Sequence, residues 1–364
     1  MTNPRPYNAA LLVPTGIGCA MGGYAGDALP IARLLAEAVD QLVTHPNVLN
    51  GAQLYWPMEN VLYVEGYGLD QFAAGNWALE NVHRNAIGVV FDAGIEPELR
   101  LRHLQVMDGA RATLGLELTD YVMTDRPLGV TLKTSGSGSS WGTIAQPDSL
   151  LRAAETLIKQ AGARAIAVIA RFPDEDSPVL SQALQNYRQG QGVDGLAGAE
   201  AVISHLVVRQ FQIPCAHAPA LIPLPLDPSV APRSAAEEIG YTFLPCVLAG
   251  LSRAPQYRRL DASPQRHARQ LDSNLLIADQ IHAVITPASA CGGSALLSWA
   301  EAGAHIIAVE ENQTALNVPP EPLGIKVTRV ASYLEAVGVI VGDRAGISPL
   351  ALRPQIPSLR CINP

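Results

Sequence analysis

The residue types best suited to chemistry in this chain are two cysteines, each placed where a predicted strand gives way to a loop. The first is Cys215, which stands two positions before His217. Residues i and i+2 of an extended backbone project from the same face, so we expect the imidazole of His217 to tune the Cys215 thiol. A thiol becomes reactive when a neighbouring base, cation or helix N-terminus favours its thiolate. The alternative interpretation is an inert, buried cysteine.

The second cysteine, Cys291, precedes Gly292 and Gly293 and then an apolar helical pattern that begins at Ser294. Its sulfur is therefore expected near a helix N-terminus, where backbone amides favour negative charge. The two glycine amides would hold charge that develops during a reaction. Glu310 follows the next predicted strand and is expected to assist as a base or as an orienting group. The predicted catalytic residues are Cys291, Cys215, His217 and Glu310.

A glycine-rich loop follows the first predicted strand. Gly16-x-Gly18 resembles a dinucleotide-binding fingerprint, but the third glycine falls at Gly22, one residue late. No acidic residue closes a second strand about twenty residues later, where a ribose would need it. The pattern therefore favours a small anion over NAD, and a purely structural turn stays open. The predicted ligand-binding residues are Gly16, Gly18, Gly22, Gly23, Asp27, His45, Asn47, Gly292, Gly293, Ser294 and Asn312.

Short apolar runs alternate with amphipathic helical patterns along the chain, which is typical of βαβ units. Continuous apolar runs such as residues 165–170 suit strands that are covered on both faces. We therefore predict an α/β fold with a mostly parallel sheet, helices on both faces and Rossmann-like layers. The Ser/Gly-rich segment 134–143 is the best candidate boundary. We expect an N-terminal lobe at 1–140 with the glycine loop, and a C-terminal lobe at 141–364 that carries Cys215, Cys246 and Cys291, with a cleft between them. A single large domain is the alternative.

Composition narrows the class of protein. Of 364 residues, 48% are apolar and 16% charged, which suits a globular protein with much buried surface. A net charge of −8 and the absence of Lys/Arg clusters argue against nucleic-acid binding. No apolar stretch is long enough to span a membrane. Five cysteines without framework spacing, and no secretory segment, predict reduced thiols and a cytoplasmic location.

Two resemblances add to this interpretation. The segments around Cys215 and Cys291 are similar, in reverse order, to the two cysteine motifs of aspartate/glutamate-type racemases. Those enzymes use the two thiols as acid and base on opposite faces of the substrate, so the similarity implies proton transfer. The Asn-Thr substrate contacts of the racemase motif are absent here. The positions that match are Cys215, His217, Pro219, Leu221, Ala290 and Cys291.

A wider resemblance covers nearly the whole chain. Its phrases look like a cyanobacterial family of unknown function, the domain family numbered 3326, which implies a bacterial setting but no activity or cofactor. The segments that carry it are residues 14–18, 22–27, 44–50, 63–67, 213–217, 252–255 and 309–312.

Two functions compete on these grounds. The first is a small-molecule enzyme with a cysteine-centred site for proton transfer or covalent catalysis, of isomerase, lyase or hydrolase type, on a small carboxylate or phosphate. The second is a non-catalytic nucleotide- or metabolite-binding protein with structural cysteines. The expected partner is a small anionic metabolite, with no nucleic acid and no membrane. Zinc or another divalent metal, and a homo-oligomeric state, stay open.

Overall fold

Two parallel sheets organise the fold, which confirms the α/β prediction. The computed structural model describes residues 6–49, 52–173, 178–222, 226–238, 243–260 and 274–362. The strands are β1 (Asn8–Leu11), β2 (Gln41–Thr44), β3 (Val61–Tyr63), β4 (Trp77–Glu80), β5 (Ile87–Phe91), β6 (Leu118–Met123), β7 (Val130–Thr134), β8 (Ser140–Ile144), β9 (Ala165–Arg171), β10 (Cys215–Ala220), β11 (Gln256–Arg259), β12 (Leu275–Leu276), β13 (Ile281–Pro287), β14 (His305–Val309) and β15 (Val327–Val330).

Helices connect the strands and cover the sheets. In the part of the chain that the structure describes, they are α1 (Leu29–Ala36), α2 (Pro46–Leu49), α3 (Ala52–Tyr55), α4 (Gly66–Ala73), α5 (Pro97–Leu114), α6 (Pro147–Ala161), α7 (Pro178–Arg188), α8 (Ala197–Phe211), α9 (Pro232–Glu238), α10 (Phe243–Ser252), α11 (Ser294–Glu301) and α12 (Tyr333–Arg344). Helices α5 and α6 end at Gly115 and Gly162, which adopt the left-handed conformation that suits a C-terminal glycine.

The six-stranded sheet has the order β15-β14-β13-β1-β2-β3, and the four-stranded sheet has the order β10-β9-β5-β6. All pairs in both sheets are parallel. Strands β11, β4 and β12 form a small antiparallel sheet, and β7 and β8 form a hairpin. The six-stranded sheet combines strands from both ends of the chain, so segments 1–140 and 141–364 each contribute strands to both parallel sheets.

Strand β9 shows why the apolar runs are continuous. Its odd-numbered residues, such as Ala167 and Ile169, belong to one apolar core, while Ile166 and Val168 belong to another. Because successive side chains point to opposite faces, both faces of the strand are covered. A sheet buried on both sides requires apolar residues at every position.

The carboxyl ends of the strands position several residues of interest, but Cys215 does not follow a strand as predicted, because it is the first residue of β10. The glycine loop follows β1, where the strand order changes direction between β1 and β13. Ligands of open α/β sheets bind at such switch points. Helix α8 packs against β10 of the four-stranded sheet and against α4, which follows edge strand β3 of the six-stranded sheet. The fold therefore brings the two sheets together along α8.

The Ser/Gly-rich segment that was expected to mark a domain boundary forms the turn of the β7–β8 hairpin. Ser135 and Ser139 are joined through their backbones and their hydroxyl groups. At the start of β8, the N–H of Ser140 donates to the carbonyl of Gly16 at 2.9 Å. The hairpin therefore contacts the glycine loop directly.

Candidate functional site

The second half of the glycine loop is held by side chains that the sequence assigned to ligand binding. Asn312 accepts from the N–H of Met21 at 2.8 Å and donates to the carbonyl of the same residue at 2.9 Å. Asp27 accepts from the N–H of Gly22 at 2.6 Å. Asn47 donates to the carbonyl of Gly22 at 3.0 Å. These three polar side chains therefore fix the loop through its own backbone.

Two other predicted residues beside this part of the loop are enclosed by protein. A side chain at Gly23 would collide with the carbonyl oxygen of Cys19, so only glycine fits there. The Nε2 atom of His45 is buried without a hydrogen-bond partner among the described residues. Burial lowers the pKa of His45 to about 4, against an opposing hydrogen bond to the backbone of Val13. His45 is therefore neutral at physiological pH.

The first half of the loop is different. Gly16 and Gly18 both have positive φ, at 69° and 64°. Among the described residues, the N–H groups of Gly16, Ile17 and Gly18 donate no hydrogen bond to the protein. Consecutive amides of this kind can hold an anion.

This half of the loop meets the segment that leads into α8. A Cβ placed on Gly18 would lie 3.0 Å from the carbonyl oxygen of Gly192, and one placed on Gly16 would lie 3.4 Å from the Cβ of Ala197. In the sequence, Asp194 lies between Gly192 and Ala197, the two residues that this half of the loop contacts. The loop after β1 and the N-terminus of α8 therefore form one seam, and Gly16 and Gly18 allow its close approach.

An acid–base cluster stands at this seam. His217 on β10 points its Nε2 atom at Oε2 of Glu200, in the first turn of α8, at 3.5 Å. The Nδ1 atom of His217 is buried and has no hydrogen-bond partner in the part of the chain described. Asp194 accepts from the N–H of Leu196 at 2.8 Å. We call Asp194, Glu200 and His217 the seam cluster.

Asp194 carries the clearest electrostatic perturbation in the seam cluster. Burial and the negative charge of Glu200 raise its pKa to about 7, although backbone N–H groups and His217 act in the opposite direction. Two carboxyl groups in one enclosed place do not both ionise easily. The cluster can therefore take up and release a proton near neutral pH.

A second carboxylate–histidine pair lies one turn further along α8. Glu65, two residues after the end of β3, accepts from Nε2 of His205 at 2.9 Å and from the hydroxyl of Ser204 at 3.3 Å. Its other oxygen accepts from the N–H groups of Tyr67 and Gly68 at the start of α4. We call Glu65, Ser204 and His205 the cap cluster, because Glu65 caps α4.

The cap cluster extends to the start of α11. Partial burial lowers the pKa of His205, but the hydrogen bond and charge of Glu65 and the charge of Asp70 outweigh it and raise that pKa above its ordinary value. Asp70 accepts from the N–H of Ala295 at 3.0 Å. Burial raises the pKa of Asp70, partly offset by that hydrogen bond.

Cys215 lies beneath the cap cluster and does not pair with His217. The sequence predicted that Cys215 and His217 share one face of β10, and both do face α8. The His217 ring, however, contacts Glu200. Cys215 is 1% exposed. Burial raises the pKa of its thiol well above the ordinary value, and the charge of Glu65 adds to the rise. That direction opposes formation of a thiolate.

Cys291 is equally enclosed. It is fully buried at the end of the loop after β13, and its sulfur lies 3.7 Å from the carbonyl oxygen of Ala288. Burial raises the pKa of Cys291 to about 11, although the charge of Arg329 opposes the rise. Gly292, Gly293 and Ser294 are exposed beyond it. The α11 amide of Ala295 already binds Asp70.

Glu310 is exposed and pairs with Nη1 of Arg329 at 3.2 Å. Arg329 also contacts Glu321. The four predicted catalytic residues therefore divide into two groups, with Cys291 and Glu310 near Arg329 and with Cys215 and His217 against α8.

Asp194, Glu200, Glu65 and His205 were not among the site residues predicted from the sequence. A local signal existed for two of them, since an acidic residue just before a predicted helix and another in its first turn are typical of a helix start. No local pattern connects Glu65 with His205. Among the described residues, no group of three or more His, Cys, Asp or Glu side chains is arranged to hold a metal ion.

Comparison with known proteins adds a family and a relative. A protein of Synechococcus described as an uncharacterized lipoprotein is 59% identical over 359 residues, which covers 99% of this chain and 97% of that protein. This description contradicts the prediction of a cytoplasmic location. Within the described residues, no helix is both long and apolar enough to cross a bilayer. No solved structure matches the chain.

The family resemblance noted in the sequence is confirmed. The model of a family described as "Protein of unknown function (DUF3326)" matches residues 8–353, which include both parallel sheets and the seam cluster. The chain therefore belongs to the DUF3326 family.

Proposed function

We propose that this protein is an enzyme that moves a proton to or from carbon in a small carboxylate, and that the seam cluster supplies the acid and the base. Two observations carry the proposal: Glu200 and His217 are in contact, and the N-terminus of the helix that holds Glu200 lies against loop amides that have no partner among the described residues. General acid–base catalysis needs a group that exchanges its proton near the working pH and lies within reach of the substrate. A paired histidine beside a buried carboxyl group suits that task.

The roles follow from the contacts. Nε2 of His217 faces Glu200, so the carboxylate favours the tautomer with its proton on Nε2. The unpartnered Nδ1 then has a lone pair with which to accept the substrate proton. Asp194, with a pKa near 7, supplies a proton in return. The substrate carbon loses and regains a proton, which leaves His217 protonated and Asp194 ionised. A proton must then pass from His217 back to Asp194, directly or through solvent, before the next turnover.

The loop amides give the substrate class. The N–H groups of Gly16, Ile17 and Gly18 would bind the substrate carboxylate. They would also stabilise the additional negative charge that this carboxylate carries when the enolate forms. Anion binding there also separates the substrate charge from Glu200 and Asp194. The proposal retains proton transfer on a small anion, which the sequence predicted. It assigns the acid and the base to carboxyl and imidazole groups instead of thiols.

The test is deuterium incorporation from D2O, followed by proton NMR on mixtures of amino and hydroxy acids. We expect the wild-type protein to exchange the proton on carbon α of at least one compound. His217→Gln should slow this exchange by about 100-fold or more, the usual contribution of a general base. Cys215→Ala and Cys291→Ala should retain it.

Three results would overturn the proposal. Exchange that survives in His217→Gln but fails in a cysteine variant would return the chemistry to a thiol. Binding seen by line broadening, without exchange of any proton, would indicate the non-catalytic alternative. Equal exchange in wild type and in all variants would place the chemistry elsewhere.

A further inference from the structure

A cavity of about 300 Å³ lies away from the seam cluster, between the end of α10, the start of β3 and the segment after β4. This volume is at the lower end of what small-molecule sites occupy. Its lining includes Glu59, Tyr63, Asn81, His83 and Arg253. None of these residues belongs to the seam cluster or to the cap cluster.

Two polar atoms of the lining residues are buried without a partner among the described residues, the Tyr63 hydroxyl and Oδ1 of Asn81. The backbone of Asn81 is satisfied, because its N–H donates to the carbonyl of Asn274 at 3.1 Å. Only the side-chain oxygen lacks a donor. Buried polar atoms are nearly always paired in native proteins, and leaving one unpaired costs about 1–3 kcal/mol. A ligand that donates a hydrogen bond would remove this cost.

The rim of the cavity carries charges of both signs. Glu59, His83 and Arg253 are exposed, and no ion pair between described residues involves them. A guanidinium group binds a carboxylate through two parallel hydrogen bonds. A carboxylate and an amide oxygen together suit an ammonium group.

Gly250 allows the cavity to keep its shape. A Cβ at this position of α10 would lie 2.7 Å from Cε2 of Tyr63 and 2.9 Å from its Cζ. Such distances require the tyrosine ring to move. Glycine at this position therefore keeps Tyr63 where it lines the cavity.

From these residues we infer that the cavity binds a free amino acid. Arg253 and His83 take the carboxylate, while Oδ1 of Asn81 and the carboxylate of Glu59 take the ammonium group. The Tyr63 hydroxyl gains a polar partner on the ligand. The inference is independent of the proposed function, since it uses different residues on a different part of the fold.

The experiment uses the whole chain and the proteinogenic L-amino acids as probes. Saturation-transfer NMR identifies those that bind, and calorimetry then measures their dissociation constants. Arg253→Met should weaken binding by about tenfold or more, the usual effect of losing a charge-assisted hydrogen bond. Arg102→Met, at an exposed arginine of α5, is the matched control and should bind as wild type does. His217→Gln should also bind normally.

Asn81→Leu is a second variant, so that the test of binding does not depend on Arg253→Met alone. This substitution should weaken binding about tenfold, yet leave the urea midpoint of the ligand-free protein unchanged or higher, because it removes an unpaired buried oxygen. The inference fails if no amino acid binds at millimolar concentration. It also fails if Arg253→Met and Arg102→Met bind equally well.

Discussion

Helix α8 contributes one member to each of two carboxylate–histidine pairs, and these pairs differ in how fully their atoms are hydrogen-bonded. In the cap cluster, Glu65 accepts from two backbone amides, from Ser204 and from His205. In the seam cluster, Glu200 meets His217 at the longer distance of 3.5 Å, and the other nitrogen of that histidine has no partner among the described residues.

We propose that this difference separates a structural role for the cap cluster from a reactive role for the seam cluster. A buried carboxylate with several donors, such as Glu65, is held in one position by its hydrogen bonds. A buried carboxyl group next to another carboxylate, as at Asp194, is held near the point of exchange. The two pairs consist of the same residue types but differ in their hydrogen bonds, and in the proposed function this difference sets their roles.

The largest expected effect comes from the cap cluster. Glu65→Ala leaves two α4 amides, Ser204 and His205 without their shared acceptor, so we expect the free energy of unfolding to fall by about 4 kcal/mol. Urea denaturation measures this. Glu301→Ala, at an exposed glutamate of α11, is the control and should change little. A loss for Glu65→Ala no larger than that of the control would show that the cap cluster is not the structural one.

The next effect belongs to the seam cluster and depends on pH. The pKa of Asp194 is raised in the folded protein, so the stability that its proton contributes is present below about pH 4 and is lost as the pH rises through about 7. Asp194→Asn should abolish this loss and make the protein more stable than wild type at alkaline pH. Urea midpoints between acid and mildly alkaline pH measure it.

Asp120→Asn, at an exposed aspartate of β6, is the matched control for this pH series. It should keep the wild-type dependence. If Asp194→Asn also keeps that dependence, Asp194 is ionised in the folded protein and the contrast between the clusters disappears.

A smaller effect separates the two histidines. His205→Leu removes a donor from Glu65 and should lower the free energy of unfolding by about 1 kcal/mol. His217→Leu removes a buried nitrogen that has no partner and should leave stability unchanged or slightly higher. The two variants are measured side by side in urea. A larger loss for His217→Leu would reverse the assignment of structural and reactive pairs.

The fold class could be predicted from the sequence, but the residues that meet in the seam cluster and in the cap cluster could not. The run at residues 165–170 is apolar at every position because both faces of β9 are covered, and that feature is visible in one dimension. The position of the glycine loop after a first strand was equally visible. Glu65 and His205 are separated by more than a hundred residues, and only the packing of α8 against α4 brings them together.

The cysteines show a second limit. Cys291 follows β13 as the sequence predicted, but the prediction for Cys215 was wrong, because this residue begins β10 and the segment before it is helix α8. Burial also depends on which elements cover the two positions. At Cys215 the covering face is apolar, formed in part by α8 residues such as Ile203 and Val207. Desolvation therefore raises the thiol pKa, whereas neighbouring residues in the sequence had indicated the opposite direction.

The smallest effect is a titration that distinguishes His205 from His45. Glu65 and Asp70 raise the pKa of His205 above its ordinary value, whereas burial lowers that of His45 to about 4. Proton NMR of the imidazole signals should therefore show His205 changing charge above the range of a free histidine, while His45 stays neutral throughout mildly acidic pH. Glu65→Gln should move only the His205 curve to lower pH, because the carboxylate that stabilises its charged form is gone. A His205 titration curve that does not move would mean that the charge of Glu65 does not stabilise protonated His205.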